Sequence, residues 1–245
     1  ENPFQHPVSG DRLLNYWGYS PILFQVPKQS YAKDFNNPEI EFRRMVDAFH
    51  QAGIEVWLDV VFNHTTELDD LGPAEHFKLL GREDWYLLSK DGDFLNFSGC
   101  GNTFKCAAPG ARRMIRDSLV YWAQNLGVDG FRFDLASILE RDPNGNFHQG
   151  SELLWELKND PELAGIKMIA EPWDAFGGYR LGYPSKNANW AEWNDSFRDT
   201  VRKAVRGDEG QMTALKEAIL GSPGIFRSTE KGRTSALISS PPTMA

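Results

Sequence analysis

Residues 127–137 read GVDGFRFDLAS, an apolar run with an arginine and an aspartate set into it. Val128, Phe131 and Phe133 favour an extended chain. Side chains alternate along a strand, so Phe131 and Phe133 share one face while Arg132 and Asp134 share the other. Just upstream, ARRMIRDSLVYWAQNLG carries a helical pattern that Gly127 ends, so the strand follows a helix at once. Helix-to-strand units of this kind build parallel α/β sheets, whose two faces are normally covered. Two charges on a covered face are costly unless they are paired or used.

The same alternation of elements extends in both directions. Upstream, PEIEFRRMVDAFHQAG opens with Pro38, repeats apolar residues at helical spacing through Met45 and Phe49, and stops at Gly53. The run IEVWLDVVFNH then reads as a buried strand from Ile54 to about Val61. Residues 65–110 are irregular, with LLSKDGDFLNF as a small hairpin around Asp91 and Gly92. Downstream come a helix over about 152–159, the strand IKMIAEPWD, a short strand and helix in WAEWNDSFRDTVRKAVRG, and a last helix over about 211–220. No G-x-G-x-x-G or Walker motif follows any strand. Each strand instead closes on polar residues: Asp59, Asn63 and His64, then Arg132 and Asp134, then Glu171. Polar groups gathered at strand C-termini are what the active face of an α/β barrel requires.

Composition narrows the classes. The 245 residues suffice for one large domain, and a net charge of −8 disfavours a nucleic-acid binder. No window approaches the roughly 18 apolar residues of a membrane-spanning helix. Cys100 and Cys106 lack companion ligands for zinc and read as free, partly buried thiols. The 31 aromatic residues (16 Phe, 8 Trp, 7 Tyr) suit either a core or the stacking of sugar rings.

The charged face has a chemical reading. Arg132 needs a partner, and Asp59 is the natural one; a guanidinium near Asp134 also favours its ionised form. Glu171 ends the apolar strand MIAEP, where desolvation should raise its pKa and suit it to donate a proton. One charged and one protonated carboxyl on a shared cleft, about 5–5.5 Å apart, are the equipment of a retaining glycoside hydrolase. The same residues equally suit an internal salt-bridge network at the end of a barrel.

The motifs DVVFNH (59–64), GFRFDLAS (130–137) and AEPWD (170–174) resemble three ordered signature regions of the α-amylase superfamily of glycoside hydrolases. NYWGYSP (15–21), GCGNTF (99–104) and WAEWNDSFRDTVR (190–202) are similar to its isoamylase and glycogen-debranching branch. The resemblance spans about residues 15–226. It implies an α/β fold that is part of a (β/α)8 TIM barrel, holding about strands two to six, with an insert over about 65–110 after the third strand and no closure. It implies Asp134 as nucleophile, Glu171 as general acid/base and Arg132 as the arginine beside the nucleophile. It further implies His64 and Tyr19 at the cleaved sugar and a largely structural Asp59. Asn63 either holds a turn or meets substrate, Trp173 is a sugar platform or packing, and Asn102 and Cys100 lie in a debrancher-like loop, where they either contact substrate or only shape the loop. In that loop FKCAAPG lacks the histidine relatives usually carry before the proline, which puts outer-chain recognition in doubt.

The implied activity is hydrolysis of α-1,6 branch linkages in glycogen or a related α-glucan, without a cofactor or catalytic metal. The expected partner is the glucan, not nucleic acid or membrane, in the cytoplasm; the oligomeric state is not legible. Another α-glucan hydrolase or transglycosylase of the superfamily, or a non-catalytic glucan-binding subunit, are the alternatives. The resemblance also implies a third acid, an aspartate after a histidine on a later strand. Residues 221–245 read GSPGIFRSTEKGRTSALISSPPTMA and contain no such pair. The chain is therefore expected to be a barrel fragment with little or no activity alone. Its tail, about 236–245, reads as a frame-shifted copy of the absent strand, which the nucleotide sequence would decide.

Overall fold

The computed structural model describes residues 8–11, 15–147, 150–188 and 190–226, together with the backbone strand Ala236–Ile238. Five parallel strands form one open sheet in chain order: β1 (Trp57–Val60), β2 (Gly130–Phe133), β3 (Lys167–Ala170), β4 (Ala191–Asn194) and β5 (Ala236–Ile238). Neighbours in sequence are neighbours in the sheet, as in a barrel wall that does not close. The remainder of the tail, 239–245, lies outside the described residues.

Helices α1 (Pro38–Gln51), α3 (Pro109–Val120), α4 (Glu152–Asn159), α6 (Asp195–Arg206) and α7 (Met212–Ile219) stand where the hydrophobic periodicity places them. α3 ends in a π-helical turn, Tyr121–Asn125, before Gly127 adopts φ +78° and turns the chain toward β2. α4 and α6 start on side-chain caps: Leu154 N–H donates to Ser151 Oγ (3.3 Å) and Phe197 N–H to Asn194 Oδ1 (2.9 Å).

The segment after the first described strand is less irregular than its sequence suggests. It holds a helix, α2 (Phe77–Trp85), interrupted at Gly81, where φ is +121°. That break hides the helical period. The hairpin expected at Asp91–Gly92 is present, with Leu88 bridged to Phe94. A short helix, α5 (Tyr183–Ala188), and a 3-10 turn, Ala136–Glu140, also escape the sequence pattern.

The core lies between the sheet and its helices. Phe131 and Phe133 are fully buried there with Ile115, Leu119, Leu153 and Leu154, and Phe133 stacks on Trp190 at 4.4 Å. β2 begins at a glycine for a steric reason: a Cβ on Gly130 would come within 2.7 Å of the Trp57 ring and 2.9 Å of the Lys167 carbonyl oxygen. Arg132 and Asp134 point to the opposite face, as alternation requires, and there the site assembles.

Candidate active site

Arg132 is the hub. Its Nη1 donates to Asp59 Oδ1 and to Asp134 Oδ1, both at 2.8 Å, and its Nη2 contacts Glu171 Oε2 at 2.8 Å. Sheet register explains the first of these pairings, because Asp59 lies directly opposite Arg132. The guanidinium also stacks on Trp193 of β4, with 4.0 Å from Cζ to the ring centroid. One cation thus gathers carboxylates from β1 and from the C-terminal ends of β2 and β3.

Each acid is held differently. Asp134 accepts at both oxygens, from Arg132 at Oδ1 and from Asn63 Nδ2 at Oδ2 (2.9 Å), which is the pattern of a carboxylate. Asn63 Nδ2 also donates to the Asp134 carbonyl at 3.0 Å, fixing the backbone of that residue. Glu171 Oε2 accepts from Leu135 N–H at 3.0 Å. Burial pushes the Glu171 carboxyl up to about 7; the Arg132 charge opposes this, while Asp134 adds to it by charge and by a hydrogen bond. Asp134 thus stands as an acceptor of two donated hydrogen bonds, while Glu171, on the same guanidinium, has its pKa raised by burial.

Leu135 takes part through its backbone. Its φ of +42° and ψ of +50° lie in the left-handed region, a conformation that costs a non-glycine residue about 1–2 kcal/mol. The turn it makes aims its N–H at Glu171 and sends the next residue's N–H to the Glu171 carbonyl oxygen at 2.8 Å.

The other expected residues separate into two groups. Tyr19, Asp59, Asn63 and His64 come together with the Arg132 cluster. Tyr19 Oη donates to Asp59 Oδ2, and burial raises the Asp59 pKa. His64 Nε2 lies 2.8 Å from the Tyr19 carbonyl oxygen, and its Nδ1 faces Asn63 Oδ1. Burial lowers the His64 pKa, against which the Tyr19 carbonyl and the Asp134 charge act.

Asn102 is different. It is fully buried, with Oδ1 accepting from Thr65 N–H (3.1 Å) and Nδ2 donating to the carbonyls of Thr65 (3.1 Å) and Leu68 (2.8 Å). Its amide ties two loops together and leaves nothing for a sugar. Cys100 and Cys106 are free thiols, as expected.

Trp173 lies on the other side of Glu171. It pairs with Tyr179 in an antiparallel bridge, and both border a cavity of about 310 Å³ that Glu171, Asp195 and Arg198 also line. Sequence reasoning missed Tyr179, Asp195 and Arg198, and also Trp193. Beneath the loop that follows Glu171, Asp174 accepts from Ser137 Oγ (3.1 Å), Gly178 N–H (2.8 Å) and the buried Arg141. Arg141 itself lies between the rings of Phe97 (3.7 Å) and Phe147 (4.0 Å). These contacts stitch the loops after β1, β2 and β3 into one surface.

No family model matches the chain. Among curated proteins, it is 40% identical over 233 residues to "Isoamylase 3, chloroplastic" of Oryza sativa subsp. japonica, covering 93% of this chain and 30% of that protein. It is 40% identical over 221 residues to "Glycogen operon protein GlgX homolog" of Haemophilus influenzae, covering 89% and 33%. A "Glycogen debranching enzyme" of an Enterobacter species is 44% identical over 208 residues, covering 82% and 31%. Among solved structures, a pullulanase from an Anoxybacillus species superposes with a TM-score of 0.72 at 28% identity, covering 91% of this chain and 32% of that one. The same pullulanase complexed with maltotriose gives 0.71 at 29% identity, covering 86% and 31%. The chain spans about a third of the length of the curated relatives it matches. Over the segment that it shares with them, the chain is similar to isoamylases and glycogen debranching enzymes in sequence and to pullulanases in fold.

Proposed function

We propose that this site hydrolyses α-1,6-glucosidic branch linkages in glycogen or a related α-glucan, by double displacement with retention. Asp134 attacks the anomeric carbon while Glu171 gives its proton to the departing oxygen. Glu171, now a carboxylate, then takes a proton from the water that releases the sugar from Asp134. Arg132 holds both carboxyls, and Asn63 steadies the nucleophile. Tyr19 and His64 stand at the cleaved sugar, with Trp173 as a platform on the departing side.

The observation that carries the reading is the single guanidinium in contact with both Asp134 and a Glu171 whose pKa is pushed to about 7. Burial raises a carboxyl outside the Arg132 cluster too, as at Glu140 beside Arg180, so it is the shared contact of Asp134 and Glu171 with one guanidinium that favours the catalytic reading, and the raised pKa supports it. The names of the relatives supply the linkage. A cytoplasmic setting, where glycogen-like polymers are stored, belongs to the same proposal. The five described strands do not close. Turnover by this chain alone is therefore expected to be slight.

The test is prolonged incubation with a branched maltooligosaccharide and with its linear counterpart, followed by product analysis. Linear chains released from the branched substrate only, first formed as the α-anomer and lost in D134A and E171Q, are the expected result. Cleavage of the linear substrate would assign α-1,4 hydrolysis instead, and a β-anomer would exclude retention.

A further inference from the structure

Glu140 is a fully buried acid that the Arg132 cluster does not use. It closes the 3-10 turn Ala136–Glu140, and Arg141 follows it. The chain from Leu135 to Arg141 reaches the segment after β3 at both of its ends. At its start, Leu135 N–H donates to Glu171 Oε2 at 3.0 Å and Ala136 N–H to the Glu171 carbonyl oxygen at 2.8 Å. At its end, Glu140 Oε2 accepts from Arg180 Nε at 2.7 Å and Arg141 Nη2 donates to Asp174. Arg180 in turn donates its backbone N–H to the carbonyl of Pro172 at 2.7 Å, one residue after Glu171. The loop over 172–180 is therefore gripped near both of its ends by one turn, and that turn is the one that follows Asp134.

The two grips have opposite polarity on adjacent positions. Glu140 meets a cation and Arg141 an anion, so the exchanged pairing would set Glu140 against Asp174 and Arg141 against Arg180. Uncompensated charges are costly in a buried place, and the arrangement therefore favours one seating of the loop. Packing adds to it. The Phe147 ring lies 4.0 Å from the Arg141 guanidinium and 5.1 Å from that of Arg180, and Tyr183 lies 3.9 Å from the latter. The turn itself is anchored, since Ser151 Oγ donates to the Leu139 carbonyl at 2.9 Å. Burial pushes Glu140 up to about 8; the charges of Arg180 and Arg141 oppose this and that of Glu192 adds to it. Glu140 Oε1 has no hydrogen-bond partner among the described residues, so a proton can sit there while Oε2 keeps Arg180. The grip therefore holds in either state of Glu140.

We propose that Glu140, acting through Arg180, is a positioning residue for Glu171: their contact fixes the loop that follows the proposed acid and so keeps the Glu171 carboxyl buried against Arg132. This deepens the glucan-hydrolase reading and rests on it. Glu140 needs no contact with substrate for this role. A loop released from Arg180 would admit water to Glu171. Burial is the largest influence on that carboxyl and raises its pKa, so release moves its midpoint downward.

The experiment follows the Glu171 carboxyl by carbon-detected titration of this chain, with each variant's fold checked by thermal melting. E140L/R180M removes one charge of each sign and keeps the buried volume apolar, so a shift in this variant is not the effect of altered net charge. Its Glu171 midpoint should fall by about one pH unit from that of the parent, while E140Q, which keeps an acceptor for Arg180, should stay within about 0.3 unit. I115V, a truncation of the buried core on α3, should lower the melting temperature and leave the midpoint in place. Should E140L/R180M fail to fold, E140D, whose carboxyl falls one methylene short of Arg180, carries the same expectation. A midpoint that stays or rises in E140L/R180M, or in E140D in its stead, would overturn the role of Glu140. An equal fall in I115V would overturn it as well, by making the effect one of general stability. A parent chain that cleaves no branched maltooligosaccharide would overturn the hydrolase reading instead, and the titration, which needs no turnover, tells the two failures apart.

Discussion

At the scale of single residues, the site depends on a property that only arginine has. The planar guanidinium presents separate nitrogens to separate partners, so Nη1 serves Asp59 and Asp134 while Nη2 serves Glu171. A lysine ammonium is a point charge on a flexible stem and cannot hold the Asp134 and Glu171 carboxyls at a fixed separation. R132K should therefore slow fluoride release from α-glucosyl fluoride by about 10²-fold, the effect of a roughly 1 Å misplacement of reacting groups. Equal rates for R132K and the parent would show that the arginine is not what positions the pair. The face on which Arg132 and Asp134 lie was legible from alternation alone, and so was the pairing with Asp59. Trp193 was not, because nothing in WAEWND distinguishes a tryptophan that stacks on a cation from one that fills a core. Leu135 was less legible still, since no local signal marks a leucine for the left-handed conformation.

At the scale of elements, the strands stand where charged ends had to be brought together. β1, β2 and β3 are four residues each and in register, so the polar residues after them emerge at one edge. Close packing at their N-terminal ends sets that register. G130A should separate β2 from Trp57 and the Lys167 carbonyl, at a cost of about 1–3 kcal/mol in urea denaturation. An unchanged midpoint would mean that the sheet adapts freely at this point. Most helices were readable because their apolar positions recur without interruption, as in α3 and α4. α2 was not, because Gly81 breaks its period after four residues. Asn102 was left open for a related reason: a loop asparagine reads alike whether it meets a sugar or two backbone carbonyls, and its burial favours the second. The backbone of Ala236–Ile238 pairs with β4 as a further strand. Backbone pairing tolerates many sequences and says nothing of the chemistry such a strand carries.

At the scale of the whole molecule, five described strands that do not close hold a site whose proposed acid and nucleophile lie within the three strands β1 to β3 and the turns after them. The ionisation pattern is therefore expected to exist in this chain whatever its rate of turnover. It can be read directly by carbon-detected titration of the glutamate side-chain carboxyls. Burial raises three glutamates: Glu171, pushed up to about 7, Glu140, pushed up to about 8 beside Arg180, and Glu192. E171Q identifies the first by removing it. In the intact chain Glu171 should titrate near 7, carrying its proton below that pH and losing donor function above it. D134N removes a neighbouring negative charge, so it should move that midpoint downward. A Glu171 midpoint in the ordinary range of about 4.3, or one that D134N leaves in place, would contradict the claim that these two carboxyls share one pocket as acid and nucleophile.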